Sequence, residues 1–233
     1  MTMHRLWRLL VASPALLLAL LVAKLWLTGT LRYYVNDRTV WIVLLGGFLS
    51  ALIGVAASYR AWRSSHEPGP SWRTLVFLVP VIVGLLVPAR PLSAASGQAS
   101  SLGALQLASH VSSGSPGDNF GTWIGALADH PDPSWWAGQH VMLVGFTAQQ
   151  DGLPARSFIV GRYLVTCCVV DATLLGFPVQ LDHGTLPAEG RWVQVTGVFG
   201  RRYWTDPHGT NYPLILHAHI VPVTVPSSPY LSP

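Results

Sequence analysis

Charged residues are scarce in this chain of 233 residues. Asp, Glu, Lys and Arg together supply 10% of the sequence, while hydrophobic residues supply 50%. Soluble globular proteins carry about 25% charged residues. The shortage excludes a wholly soluble globular protein and predicts that part of the chain lies in a membrane.

The few charges are divided unevenly along the chain. Residues 1–99 contain nine Lys or Arg and two acidic residues, whereas residues 100–233 contain five Arg and eight Asp or Glu. The net charges of the two parts are therefore +7 and −3, which agrees with +4 for the whole chain. Because the positive excess falls in the apolar part, it does not indicate a nucleic-acid surface, and we expect no nucleic-acid partner.

Cysteine is equally scarce, since the chain contains only Cys167 and Cys168, which are neighbours in sequence. A disulfide scaffold would distribute its cysteines along the chain, so the sequence excludes one. Three interpretations of the pair stay open. The two thiols form a strained vicinal disulfide, they bind a soft metal such as zinc, or they stay reduced in a β-strand with one side chain facing the core.

Motifs of the common enzyme classes are also absent. The sequence contains no Gly-x-Ser-x-Gly elbow, no His-Glu-x-x-His helix, no phosphate-binding loop of the Gly-Lys type and no dinucleotide fingerprint. The cysteine pair has no adjacent cation or recognisable helix N-terminus that would activate a thiol. These absences favour a function that is not enzymatic.

Long apolar segments make up most of residues 1–92, and we predict three membrane spans at about 6–28, 39–59 and 72–90. The middle segment contains no charge, while the third contains Pro80 and Gly84. Short loops on the N-terminal side contain five Arg residues against three on the other side, which favours a cytoplasmic N-terminus. With three spans the C-terminal domain is extracytoplasmic, whereas with two, if the third segment is a re-entrant or interfacial helix, it stays in the cytoplasm. We expect a multi-pass protein of the cell membrane with an extracytoplasmic C-terminal domain.

The rest of the chain is predicted to be a linker at 93–117, rich in Ser, Ala and Gly, and a mainly-β domain at 118–233. One short helix is expected first, because Phe120, Trp123, Ile124 and Leu127 form an apolar stripe. Glycines inside two predicted strands, Gly145 and Gly197, suit a small barrel of the OB-like class. The predicted strands are His140–Thr147, Ser157–Cys168, Phe177–Leu181, Arg191–Phe199 and Pro213–Val225.

Candidate site residues cluster around the cysteine pair. Asp171 either fixes a turn after the apolar run or acts as a ligand, and Arg162 either points outward or pairs with Asp171 or Asp182. His217 and His219 lie two apart in a predicted strand and so would share a face. The binding or redox candidates are Cys167, Cys168, Asp171 and Arg162. The candidate metal ligands are Cys167, Cys168, Asp171, His183, His217 and His219.

The segment from Arg162 to Ala172 resembles a bacterial family of permease subunits, typified by YcgQ, whose pattern is Arg-aromatic-aliphatic-aliphatic-Ser/Thr-Cys-Cys-x-Ala-Asp-Ala. Val170 replaces the small residue of that pattern. The resemblance extends to residues 29–33, 80–88 and 192–197. It implies a membrane-anchored accessory protein accompanied by a multi-spanning permease, with no established substrate or catalytic residue.

Two functional hypotheses follow from the sequence and this resemblance. The first is a non-enzymatic accessory subunit of a permease, anchored in the lipid bilayer, whose exported β domain binds or senses a small solute or metal ion. The second is a membrane-anchored thiol redox protein in which Cys167 and Cys168 cycle between dithiol and disulfide. The absence of a Cys-x-x-Cys spacing weakens the second hypothesis.

Overall fold

The computed structural model describes residues 14–63, 79, 81–92, 120–207 and 209–232. The chain divides into two compact units, with the boundary between Arg90 and Pro91. Residues 93–117, the predicted linker, lie outside the described residues, so that prediction stays untested.

The N-terminal unit contains helix α1 (Pro14–Leu27) and helix α2 (Val40–Arg63), joined through a short 3-10 turn at Thr30–Tyr33. The two helices pack closely, because a Cβ placed on Gly47 would lie 2.9 Å from Cγ1 of Val22. These residues lie near the end of α1 and near the start of α2, as expected for an antiparallel pair.

Only one helix among the described residues is long and apolar enough to cross a membrane. It comprises Val40–Arg60, 21 residues with a mean hydropathy of 2.3, and it qualifies by length and composition alone. The prediction of about three spans therefore exceeds what the fold supports. Helix α1 has 14 residues. Positions 6–13 of the first predicted span lie outside the described residues. Positions 72–78 and 80 of the third predicted span also lie outside the described residues.

The C-terminal unit is a closed barrel of five strands in the order β1-β2-β3-β5-β4. Neighbouring strands are antiparallel except β3 and β5, which are parallel. The prediction of a mainly-β domain with five strands is confirmed. The strands are β1 (His140–Ala148), β2 (Ser157–Leu164), β3 (Thr173–Gln180), β4 (Trp192–Thr205) and β5 (Asn211–Pro222).

Several strand limits differ from the predicted ones. Strand β2 ends at Leu164 rather than at Cys168, β3 begins at Thr173, and β4 continues to Thr205. An irregularity in the pairing of β4 with β5 between Phe199 and Tyr203 lets the strand pass through its two arginines. Residues 201–204 therefore lie within β4.

Two short helices precede the barrel, namely α3 (Phe120–Asp129) and α4 (Pro133–Trp136). The predicted apolar stripe of α3 is confirmed, since Phe120, Ile124 and Leu127 are buried in the same core as the barrel interior. Helix α4 was not predicted. Its signal was the pair Asp132-Pro133, because the Asp132 side chain accepts a hydrogen bond from the Ser134 amide and Pro suits the first helical position.

Aromatic side chains from these helices pack against the barrel. Trp136 is fully buried, its ring centroid lies 4.9 Å from that of Phe199, and its Nε1 donates a 2.8 Å hydrogen bond to the carbonyl of His130. Trp123 lies 5.0 Å from the same phenylalanine ring. Buried aromatic pairs of this kind dominate core energetics, so α3 and α4 are part of the domain core and not an appendage.

The two strand glycines allow neighbouring strands to approach closely, as the barrel prediction required. A Cβ on Gly145 would lie 2.6 Å from the carbonyl oxygen of Gly161. A Cβ on Gly197 would lie 2.7 Å from Cγ2 of Ile215 and 2.8 Å from the carbonyl oxygen of Leu216. All three distances are shorter than those that real Cβ atoms make with other atoms, so only glycine fits at these two positions without a shift of the neighbouring strand.

Candidate functional site

The cysteine pair lies in the connection between β2 and β3, which we call the thiol loop (residues 165–172). The chain leaves β2 after Leu164 and makes a 3-10 turn at Val169–Asp171 before β3 begins. The interpretation that placed the two cysteines in a strand, with one facing the core, is therefore wrong. The thiols belong to the loop that follows β2, in which Cys168 forms only an isolated β-bridge.

Asp171 determines the conformation of the thiol loop. Its carboxylate accepts hydrogen bonds from two backbone amides, that of Thr166 at 3.0 Å and that of Cys167 at 2.8 Å. Its own amide donates to the carbonyl of Cys168 at 3.0 Å. A short acidic side chain that binds nearby amides holds a turn closed. The turn-fixing role predicted for Asp171 is confirmed.

The two cysteines are not joined by a disulfide, and their thiols lie close together. Their Sγ atoms are 3.7 Å apart, and Cys167 is exposed while Cys168 is half-buried. A disulfide would need a separation of about 2.05 Å, so the two cysteines are not disulfide-bonded. The exposed side of the pair is Cys167.

Hydrogen bonding to Asp171 raises the pKa of the Cys167 thiol to about 11, and the Cys168 thiol adds to this effect. For Asp171 itself, partial burial works to raise the pKa. The hydrogen bonds from the Cys167 thiol and from the amides of Cys167, Thr166 and Cys168 outweigh it and lower the pKa. At neutral pH the Asp171 carboxylate thus accepts a hydrogen bond from the Cys167 thiol. This arrangement stabilises the thiol form, whereas redox catalysis needs the thiolate.

The predicted metal ligands are not brought together. Nδ1 of His217 lies 2.8 Å from Oδ2 of Asp182, and both side chains are largely exposed. His183 follows in an exposed turn, as its sequence Asp-His-Gly predicted, and Gly184 has a positive φ of 88°. Among the described residues, no group of three or more His, Cys, Asp or Glu side chains is placed to hold a metal ion.

The shared face predicted for His217 and His219 rested on regular alternation, which a bulge interrupts. Thr196 pairs with His219 while Val198 pairs with Leu216, so β5 contains one extra residue here. His217 adopts a positive φ of 51° at this point. The local distortion explains why the two histidines cannot be treated as an i, i+2 ligand pair.

Arg162 is buried, with 3% of its surface exposed, and it binds the C-terminal segment of the chain. Its guanidinium donates hydrogen bonds to the carbonyls of Ser228 and Pro229, and its Cζ lies 6.0 Å from the ring centroid of Trp192. Desolvation lowers its pKa to about 10. The expected partners, Asp171 and Asp182, are engaged with backbone amides and with a histidine instead.

The segment that Arg162 binds adds a further backbone pairing beside β2. The Leu231 amide donates to the carbonyl of Tyr163 at 2.8 Å, and the Val165 amide donates to the carbonyl of Leu231 at 3.1 Å. Strand β1 pairs with β2 only as far as Gly161, so the segment occupies an edge that β1 leaves open. Because Val165 begins the thiol loop, this contact also fixes where the loop starts.

We predict that Arg162→Met loosens the C-terminal segment and lowers the free energy of unfolding of the β domain by about 2 kcal/mol, because hydrogen bonds from a charged donor contribute about 1.5–3 kcal/mol. Hydrogen exchange of the Leu231 amide reports the loosening. Arg202→Met serves as the matched control, since Arg202 is exposed and donates to the Gln180 side chain at 3.2 Å. Equal exchange in both variants would contradict the assigned role of Arg162.

The exposure of Val170 is a feature of the thiol loop that the sequence does not predict. Val170 is 83% exposed beside the thiols, although it belongs to an apolar run that reads as buried. The turn fixed by Asp171 pushes it outward. A single exposed apolar side chain is common on protein surfaces and does not by itself indicate a binding site.

The described chain thus defines a class of protein, a small closed β-barrel with a vicinal cysteine pair on one loop, carried by a chain that also contains a candidate membrane helix. The profile of the DUF1980 C-terminal domain matches residues 115–233, and the chain belongs to this family. No curated protein and no solved structure matches the chain. The family match therefore covers the barrel and leaves its function to be argued from the site.

Proposed function

We propose that the chain is a non-enzymatic accessory subunit of a multi-spanning permease. In this proposal about three helices anchor it in the cell membrane, and an extracytoplasmic OB-like barrel binds or senses a small solute or ion through the thiol loop. The observation that carries the proposal is the loop itself, in which a turn fixed by Asp171 presents an exposed and a half-buried thiol 3.7 Å apart. A purely structural cysteine pair would be buried in the barrel.

Membrane anchoring is supported by the surface of α2. Large apolar side chains on this helix are exposed, and only 11% of its apolar window is buried. Such a surface is unfavourable in water at about 25 cal/mol per Å², and lipid or another apolar helix would cover it. The exposed side chains include Trp41, Phe48, Leu52, Ile53 and Val55.

A third helix is supported by contacts within the N-terminal unit. Residues 81–86 are helical, and a Cβ on Gly84 would lie 3.1 Å from Cδ2 of Leu21. The Lys24 ammonium donates a 2.6 Å hydrogen bond to the carbonyl of Leu85. The contacts advance in the same direction along both helices, so this segment and α1 run parallel while α2 runs back. Three alternating spans with a cytoplasmic N-terminus would put the barrel outside the cell.

The OB-like assignment rests on the strand order, in which β3 and β5 pair in parallel and β1 and β4 close the barrel. Barrels of this class use one face and the loops around it for ligands. Fold alone does not identify a ligand, so the thiol loop carries the argument. The thiol redox alternative is weakened by the absence of a Cys-x-x-Cys spacing.

Co-purification tests the permease partner, which the resemblance at Arg162–Ala172 to YcgQ-type subunits supports. The full chain is extracted from its native membrane in mild detergent, and accompanying proteins are quantified by mass spectrometry. We expect a multi-spanning membrane protein in a fixed ratio to the chain. A variant that ends after residue 92 keeps the anchor and separates recruitment by the helices from recruitment by the barrel. A solitary chain would refute the proposal.

A further inference from the structure

The spacing of the two thiols matches the geometry of a metal chelate. Two thiolates bound to one tetrahedral cation at about 2.3 Å stand about 3.8 Å apart, and the Sγ atoms of Cys167 and Cys168 are 3.7 Å apart. We propose that Cys167 and Cys168 chelate one soft cation of the zinc, cadmium or copper(I) type. This inference rests on the proposed function and names the class of its ligand.

The thiol loop holds the two sulfurs at this spacing. Cys168 is extended, with φ −155° and ψ 168°, and the 3-10 turn at Val169–Asp171 follows at once. The Asp171 carboxylate accepts a hydrogen bond from the Cys167 amide. The two thiols therefore stand close together on a loop that this turn holds.

The chemistry of the donors selects the cation. Thiolates prefer zinc, cadmium and copper(I), whereas calcium and magnesium require oxygen ligands. Binding of a dication replaces the two S–H bonds with two metal–sulfur bonds and releases two protons to solvent, with no change in oxidation state. The Asp171 carboxylate, which hydrogen-bonds the Cys167 side chain, adds negative charge beside the cation.

Two sulfur ligands leave coordination positions open. Structural zinc sites use four protein ligands, and the described residues provide no third His, Cys, Asp or Glu in a metal-binding group with the pair. Water or a group from another protein can occupy the remaining positions and exchange there. Such a site suits the capture and transfer of a cation, not its permanent storage. A subunit beside a permease would use it to deliver or to sense the ion.

The test is a titration of the full chain in detergent with cadmium ion alone, under a reductant that contains no thiol. We expect a thiolate-to-cadmium charge-transfer absorbance that saturates at one ion per chain and that zinc ion, but not magnesium ion, displaces. Cys167→Ser and Cys168→Ser should each weaken binding about a hundredfold or more, because two linked ligands act together. His219→Ala is the control and should bind as the parent does.

Three results would overturn the inference. They are the absence of the absorbance, one ion shared by two chains, and a single-cysteine variant that binds as tightly as the parent. The co-purification experiment is independent of these results. If cadmium does not bind while a permease accompanies the chain, only the ligand class is wrong. If cadmium binds to a chain that purifies alone, the permease function is wrong and the chelate stands.

Discussion

Gly197→Val should destabilise the β domain by about 3 kcal/mol or more, because overpacking a core costs about 1–3 kcal/mol and here a backbone atom also stands in the way. The added Cβ would lie 2.7 Å from Cγ2 of Ile215 and 2.8 Å from the carbonyl oxygen of Leu216. The carbonyl belongs to β5 and cannot move without opening the barrel between β4 and β5. Denaturant unfolding of the full chain, followed by tryptophan fluorescence, measures the loss.

Thr196→Val is the matched control for this substitution. Thr196 precedes the glycine in the same strand and is exposed, and valine is favoured in strands. We expect a change within about 0.5 kcal/mol, as for most surface positions. If the two variants were equally stable, the close approach of β4 and β5 at the bulge would be wrong.

Asp171→Asn should raise the alkylation rate of Cys167 at pH 8 about tenfold. The hydrogen bond that the thiol donates to the Asp171 carboxylate is the main cause that lifts the pKa of this thiol from 9.0 to about 11. If the pKa of Cys167 returned to 9.0, the thiolate fraction at pH 8 would increase about a hundredfold. The intrinsic nucleophilicity of a thiolate falls as its pKa falls, which reduces the expected gain in alkylation rate to about tenfold. Mass spectrometry after timed iodoacetamide treatment measures the rate at each cysteine.

The pH dependence of alkylation follows from the same shift. Because the parent thiol has a raised pKa, its rate should keep increasing with pH up to about 11, while the rate of the variant should level off at lower pH. Asp182→Asn is the control, since Asp182 contacts His217 and should leave both cysteines unchanged. If the parent and Asp171→Asn gave the same dependence of alkylation rate on pH, the Asp171 carboxylate would not be the cause of the raised pKa of the Cys167 thiol.

The sequence predicts the barrel well because its strands are short apolar runs separated by turn residues, and parts of β1, β4 and β5 alternate between buried and less buried positions. Gly145 and Gly197 also mark the places where the neighbouring strand lies too close for a Cβ atom. The prediction from the sequence fails at the end of β2, because the mainly apolar run continues from Tyr163 to Val170. The strand ends there because a carboxylate four to five residues further on binds the loop amides. No periodicity indicates such a contact.

The partners of Arg162 lie beyond any local pattern. Its guanidinium contacts a carbonyl 67 residues away in sequence, so a nearby carboxylate was the natural but wrong expectation. The candidate site was found from composition alone, since two adjacent cysteines in a chain with no others are conspicuous. Their spacing and their bond to Asp171 depend on the turn, and only the folded loop defines them.

The most direct test of the account is whether the thiol loop faces the outside of the cell. Intact cells that produce the full chain are treated with a membrane-impermeant maleimide at alkaline pH, and labelled cysteine is compared before and after permeabilisation. A variant in which both Cys167 and Cys168 are serine gives the background. The account predicts full labelling of the cysteine pair in intact cells. Labelling that appears only after permeabilisation would contradict an exported barrel and the accessory function built on it.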